Sequence, residues 1–247
     1  VSESGIGMTI PRYRVDVTRP ADVIEEILRI YGYDKILDVP LKYEASPAYQ
    51  WKSLHKLEST IANKLNGQGF METINNSLTN PNASGDFYNP VKILNPLGKE
   101  LSIMRQSLTI NALQVIAFNL NRQNKDLKLY EFGNIYGVKD NNYHESKRLT
   151  LSLVGLSFNS HWDLKNPPNL FFYGKGVVID LFQSLGYDNL NFDETDHSDF
   201  DIGFELNYRK NSYGHFGLIS KKLKGTYNID EDIYIADLDW NKITEKA

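Results

Sequence analysis

Apolar positions along the chain alternate in some stretches and recur every three to four residues in others. Residues 8–17, MTIPRYRVDV, alternate with β-branched side chains and predict a strand. A helix follows, with Thr18 as its cap and Pro20 in the first turn, where a missing N–H costs nothing. Val23, Ile24, Ile27, Ile30 and Tyr31 form its apolar stripe, and Gly32 ends it. The run DVPLKYEASPAYQ (38–50) has two prolines and no period, which places a linker at 39–50. A second helix is predicted over 51–66, with Leu54, Leu57, Ile61 and Leu65 on one face and Gly67 and Gly69 as its stop.

Beyond it the pattern predicts a strand near 70–79, then two strands flanking the Asn95-Pro96 turn with Gly98, and a helix over 109–123 capped by Ser107 or Thr109. Strands at 128–138 and 148–157 flank a turn at Asn141-Asn142. A helix near 173–185 ends at Gly186, strands at 202–208 and 212–219 form a hairpin around Arg209-Lys210-Asn211, and 233–240 is a last strand. Strands outnumber helices and neighbouring strands read as antiparallel, so the class is α+β, without strict βαβ alternation.

Composition narrows the function classes. The chain has 247 residues, 41% hydrophobic and 23% charged, enough for one large domain or two smaller ones. Its formal net charge of −4 disfavours a chain that grips a nucleic-acid backbone along its length. The absence of Cys excludes disulfides and thiolate metal sites and is consistent with a reducing compartment. No signal peptide or membrane-length apolar run is visible, and the start at Val1 suggests a piece of something longer.

The most concentrated chemistry is RVDVTRPADVIEEILRIYGYDKI (14–36), where Asp16, Asp22, Glu25 and Glu26 crowd one helix start. Helical spacing puts Asp22, Glu25 and Glu26 on one side, Arg29 a turn further, and Asp16 at the end of the expected strand. Acidic first turns are commonly just solvated and favour the helix dipole. Several hard oxygens without nitrogen or sulfur also suit a divalent cation such as Mg²⁺. Spacing alone leaves both readings open.

The run R-Y-R-V-D-V-x-x-x-x-D-V-I-E-E-I-L-R-I-Y-G-Y-D (12–34) resembles the β-subunit family of bacterial phenylalanyl-tRNA synthetases, which carries R-x-D-I and then D-L-I-E-E-I-A-R-I-Y-G-Y. The likeness continues at Asn95-Pro96-Leu97 through Met104-Arg105-Gln106-Ser107-Leu108, at Leu129–Tyr136, and at Tyr173-Gly174-Lys175-Gly176. It implies a class II aminoacyl-tRNA synthetase-like antiparallel sheet flanked by helices. It divides the chain into the end of a preceding winged-helix-like domain (1–38, a strand–helix remnant), the linker 39–50 and a catalytic-like module at 51–247. It implies that Asp16, Asp22, Glu25 and Glu26 bind Mg²⁺ at a site shared with the α subunit. The implied assembly is an αβ dimer of dimers in the cytoplasm that uses ATP to join phenylalanine to tRNA(Phe). The helices at 51–66 and 109–123 are candidates for the subunit interface, or for internal packing.

The resemblance assigns no catalytic or cofactor-binding residue to this chain. Catalytic relatives read G-R-V-Y/F-R-x-E/D on a central strand, the second Arg neutralising the α-phosphate of ATP. This chain reads Gly133-Asn134-Ile135-Tyr136-Gly137-Val138-Lys139, with Gly137 in the Arg slot and Lys139 in the acidic one. A catalytically silent scaffold for the α subunit follows. The rivals are an autonomous class II-like adenylating enzyme and a nucleic-acid-binding module. Other motifs are weak. Gly174-Lys175-Gly176 lacks phosphate-loop spacing and reads as helix packing, 193–201 fits no calcium-loop register and reads as a solvated loop, and the five histidines show no ligand spacing.

Overall fold

A computed structural model describes Gly5 and residues 7–36, 54–83, 85, 87–155 and 169–246. The expected linker at 39–50 lies outside the described residues. The chain separates into two compact units, Val1–Lys52 and Ser53–Ala247.

In the first unit the helix is α1, Pro20–Tyr31, closed by Gly32 at φ 99°. Its cap is Arg19 in extended backbone, one residue beyond the expected Thr18. The strand expected at 8–17 is not formed. Those residues make consecutive turns, with the Arg14 amide donating to the Pro11 carbonyl and the Val17 amide to that of Arg14. The alternating pattern has no neighbouring strand among the described residues, and an unpaired strand leaves its backbone groups without partners. The apolar stripe of α1 is present but uncovered: no residue of the helix is buried, and Ile30 is 85% exposed.

Among the described residues, the second unit is built on a seven-stranded sheet. In chain order its elements are α2 (Leu54–Gly67), β1 (Met71–Glu72), β2 (Leu78–Thr79), β3 (Ile103–Met104), α3 (Leu108–Leu120), β4 (Leu127–Lys139), β5 (Asn142–Val154), α4 (Leu170–Ser184), β6 (Asn191–Glu194), β7 (Phe200–Tyr208), β8 (Asn211–Ile219), α5 (Lys221–Thr226), β9 (Ile233–Asp239) and α6 (Trp240–Lys246). The sheet order is β1-β4-β5-β9-β8-β7-β6, with β2 and β3 as a separate pair. The sheet is mixed: β1 runs parallel to β4 and every other pairing is antiparallel. A parallel neighbour needs a long crossover, here the whole of residues 73–126, so local alternation could not reveal it.

Strand alternation divides the core between the two sheet faces. On one face Leu149, Leu151 and Leu153 of β5 and Tyr234, Ala236 and Leu238 of β9 pack with Val178 and Phe182 of α4, Ile243 of α6 and Ile61 and Leu65 of α2. On the other, Leu127 and Leu129 of β4 and Ile233 and Ile235 of β9 pack with Leu113 and Ile116 of α3. The apolar faces of α2 and α3 are thus used inside the module. Leu54, expected on the buried face, begins α2 and stands 52% exposed.

Gly174 explains the Gly-Lys-Gly motif. It is buried on α4, and a Cβ there would lie 2.4 Å from the Tyr234 ring, so glycine lets the helix approach the sheet. The turn between β4 and β5 holds Asp140 and Asn141 at φ 50° and 64°, as a tight hairpin requires. Ser107 is the residue that caps α3, its hydroxyl accepting from the Thr109 amide.

Candidate functional site

Of the four predicted carboxylates, Asp16, Asp22 and Glu26 are held by arginines, and Asp22 also by backbone amides. Asp22 is the third residue of α1. Its Oδ2 accepts from the Thr18 and Arg19 amides at 3.0 and 2.8 Å, satisfying donors at the helix start, and its Oδ1 accepts from Arg19 Nη2 at 3.0 Å. The Arg19 hydrogen bond, then the two amides, hold the Asp22 carboxyl down at about 2. Arg14 donates through Nε and Nη2 to Asp16 at 3.2 and 2.9 Å, and Nη2 also reaches Glu26 Oε1 at 2.5 Å. The same guanidinium lowers the Asp16 carboxyl, chiefly by hydrogen bonding. Arg29 lies 3.5 Å from Glu26 Oε2, and Glu25 is exposed.

Arg14 therefore draws Asp16 and Glu26 together, while Asp22 is tied to the helix start beside Arg19. Among the described residues no group of three acidic or histidine side chains converges as a metal site would require. The sequence reading missed Arg14. Its signal was the R-x-D spacing, which lets one guanidinium bridge a carboxylate two residues on and another on the helix.

In the second unit one face of β4 carries Glu131, Gly133, Ile135 and Gly137 in succession. Arg105 lies over this strand, donating through Nη1 to Glu131 Oε1 at 2.6 Å and through Nε to the Asn134 carbonyl at 2.8 Å. Asn75 Nδ2 donates to the other Glu131 oxygen at 2.7 Å. Both charged residues are nearly inaccessible, at 4% and 5% exposure, and the bonds compensate their removal from water. Gly133 leaves room for Arg105, since a Cβ there would lie 2.3 Å from Nη2. At Gly137 a Cβ would lie 2.4 Å from the Phe87 carbonyl oxygen and 2.9 Å from Tyr88 Cβ. Asn89 pairs with Val138, and Gln106 Nε2 donates to the carbonyls of Phe87 and Tyr88 at 3.1 and 2.8 Å. The backbone of 87–89 is thereby fastened over the position where the sequence lacks an arginine.

Beside this covered strand, on the same side of the sheet, lies a cleft of about 270 Å³. Its polar lining includes Gln106, Arg148, His197, Asp199, His215 and Asp237. Arg148 bonds Asp237 at 3.0 Å and lies 3.5 Å from Asp239. The His197 and His215 rings are 5.1 Å apart.

Two family models match the chain: the phenylalanyl tRNA synthetase beta chain CLM domain over residues 42–240, and the tRNA synthetase B5 domain over 1–33. The chain belongs to the phenylalanyl-tRNA synthetase beta-chain family. Phenylalanine–tRNA ligase beta subunits of Bacteroides fragilis and Bacteroides thetaiotaomicron are each 34% identical to it, and that of Thermotoga maritima is 31% identical. These alignments cover 97%, 97% and 96% of this chain but 31% of each relative, so this beta-chain segment spans about a third of their length. Two solved structures of Desulfitobacterium hafniense pyrrolysyl-tRNA synthetase share its fold, with TM-scores of 0.59 and 0.60 at 13% and 11% identity. They cover 78% and 97% of this chain, and 68% and 82% of theirs. The beta-chain module is thus α+β and class II synthetase-like, with its sheet mixed through β1.

Proposed function

We propose that this chain is the synthetase-like core of a phenylalanyl-tRNA synthetase β subunit, with the end of its preceding domain. Its role is to scaffold the α subunit, which uses ATP to ligate phenylalanine to tRNA(Phe), in a cytoplasmic αβ dimer of dimers. In this reading residues 1–38 close a winged-helix-like domain, 39–50 link it onward and 51–247 form the catalytic-like module. The observation that carries a non-catalytic role is the covered Gly137 position: no side chain fits there to meet a phosphate. The α subunit is reached through exposed apolar residues, since α2 and α3 spend their apolar faces internally. Leu94 and Leu97, 101% and 97% exposed beside the Asn95-Pro96 turn, are suited to that contact.

Asp16, Asp22, Glu25 and Glu26 are proposed as this chain's share of a Mg²⁺ site completed by the α subunit. The donors are hard oxygens, and those of Asp16 and Asp22 stay ionised to low pH, which fits the cation. Their arrangement around Arg14 and Arg19 does not form an ion cage by itself, so the partner's ligands are required. A bound ion would neutralise the acidic cluster at the subunit boundary. Arg14 would release or share Asp16 and Glu26, and Asp22 would keep its amide donors.

The reading is tested by mixing purified chain with purified α subunit and assaying association, ATP–pyrophosphate exchange and tRNA binding separately. Association with α and no exchange by the chain alone are expected. Robust exchange without α would establish the autonomous enzyme instead.

A further inference from the structure

We propose that His215 is an acid-sensitive latch: while its imidazole is uncharged, residues 195–199 stay closed against β8, and its protonation releases that loop and opens the cleft beside it. Three contacts hold the loop down. The His197 ring packs on the His215 ring, with centroids 5.1 Å apart. The Ser220 amide, just past the end of β8, donates to the Asp199 carbonyl at 2.8 Å. Within the loop the Asp199 amide donates to His197 Nδ1 at 3.3 Å, so that nitrogen accepts and carries no proton. Nδ1 of His215 is buried with no hydrogen-bond partner. A neutral ring can leave that nitrogen as an unfilled acceptor. An imidazolium carries a proton on both nitrogens and would hold a buried N–H with nothing to receive it, so the closed arrangement suits the uncharged ring.

Charged groups face His215 from each element around it. Glu205 of β7 and Asp237 of β9 stand directly across from it in the two strand registers, Arg148 of β5 pairs with Asp237 and Asp239, and His197 and Asp199 approach from the loop. The flanking carboxylates would favour a charged ring, but both are engaged. Asp237 accepts from Arg148 at 3.0 Å, and Glu205 bonds Ser212 and accepts from Asn207 Nδ2 at 3.4 Å. Burial first, then His197 and Arg148, hold the His215 pKa below its ordinary 6.5 against Glu205 and Asp237. Release of the loop returns water to the ring and with it the ordinary value, so the open form binds the proton more tightly. Closure is therefore at full strength above about pH 6.5 and weakens as pH falls from there through the lower folded value.

The test is hydrogen–deuterium exchange of the full αβ enzyme between about pH 7.5 and about pH 5.5, corrected for the intrinsic pH dependence of exchange. The amides of Asp199, Phe200 and Ser220 report the loop, since they donate to His197 Nδ1, the His197 carbonyl and the Asp199 carbonyl. Their protection should fall by about threefold or more on acidification, within the limit of about tenfold per pH unit that one linked proton allows. Protection of β9 should hold over the same range. His215→Phe keeps a ring of similar shape without the proton and should remove most of the fall, and His215→Gln is a second uncharged replacement. Wild-type protection across β9 reports that a variant is folded. Constant loop protection in wild type, a fall that β9 shares equally as in acid unfolding of the module, or an undiminished fall in a folded variant would overturn the proposal.

Discussion

At the scale of single residues, glycines and paired charges decide what this chain can do. Gly137 sits where backbone closes over β4, and Gly137→Ala should lower stability by about 1–3 kcal/mol through overpacking against Phe87, read as a fall in the thermal midpoint of the module. Gly137→Arg should be more destabilising still and should not create ATP–pyrophosphate exchange, because the covering segment occupies the space a phosphate would need. Asp22 gives a pH prediction with a definite sign. Its folded value of about 2 lies below the ordinary 3.8, so its contribution to the α1 start is fully present above pH ~4 and is lost as pH falls through about 2. A carbon-detected titration of the side-chain carboxyl should find that low midpoint; a value near 3.8 would mean the Arg19 and amide contacts do not hold in solution.

Among elements, the contact between β4 and the segment carrying Arg105 depends on one buried ion pair, Arg105–Glu131. Glu131→Ala would leave the Arg105 guanidinium buried without its counter-charge, a change that typically costs about 3–5 kcal/mol. Replacing both by apolar residues, Arg105→Met with Glu131→Leu, should cost much less than the sum of the single changes, since no charge remains stranded. Denaturant melts of wild type, Arg105→Met, Glu131→Leu and the double variant would settle it, and additive losses would show that the pair is not coupled as the geometry indicates. Gly174→Ala tests a second contact. It should separate α4 from Tyr234 and loosen the larger core, with exchange protection falling across α4 and β9.

For the whole molecule, the scaffold reading predicts where a partner binds. Leu94 and Leu97 contribute little to the module's own core, so Leu94→Asp with Leu97→Asp should leave its thermal midpoint almost unchanged. The double change should weaken association with the α subunit by tenfold or more, on the order of 1.4 kcal/mol or above. Unaltered association in titration calorimetry would place the interface elsewhere. In the αβ complex, Asp22→Ala and Glu26→Ala should each lower Mg²⁺ content relative to wild type. Equal metal content in all three would return the carboxylates to a purely structural part, capping α1 and pairing with Arg14.

The sequence by itself determined the α+β class, the helices α2, α3 and α4, the hairpins β4–β5 and β7–β8, and the glycine in the arginine slot. The helices and hairpins are written locally, in a repeat of two or about 3.6 residues or a cap such as Ser107, with the turn expected at Asn141-Asn142 falling one residue earlier, at Asp140-Asn141; the glycine is legible through the family resemblance. The family was legible too, in runs such as 12–34 that keep their spacing. Tertiary structure alone decided the parallel placement of β1, because its partner β4 lies more than fifty residues away, and it turned 8–17 away from the strand its alternation predicted. It also decided which partner each carboxylate takes. Helical spacing could place Asp22, Glu25 and Glu26 on one side, but only the fold of 11–17 brings Arg14 between Asp16 and Glu26. The cleft had no sequence signal at all. Gln106, His197, His215 and Asp237 lie up to 131 residues apart, on two loops and two strands that meet only when the sheet is assembled.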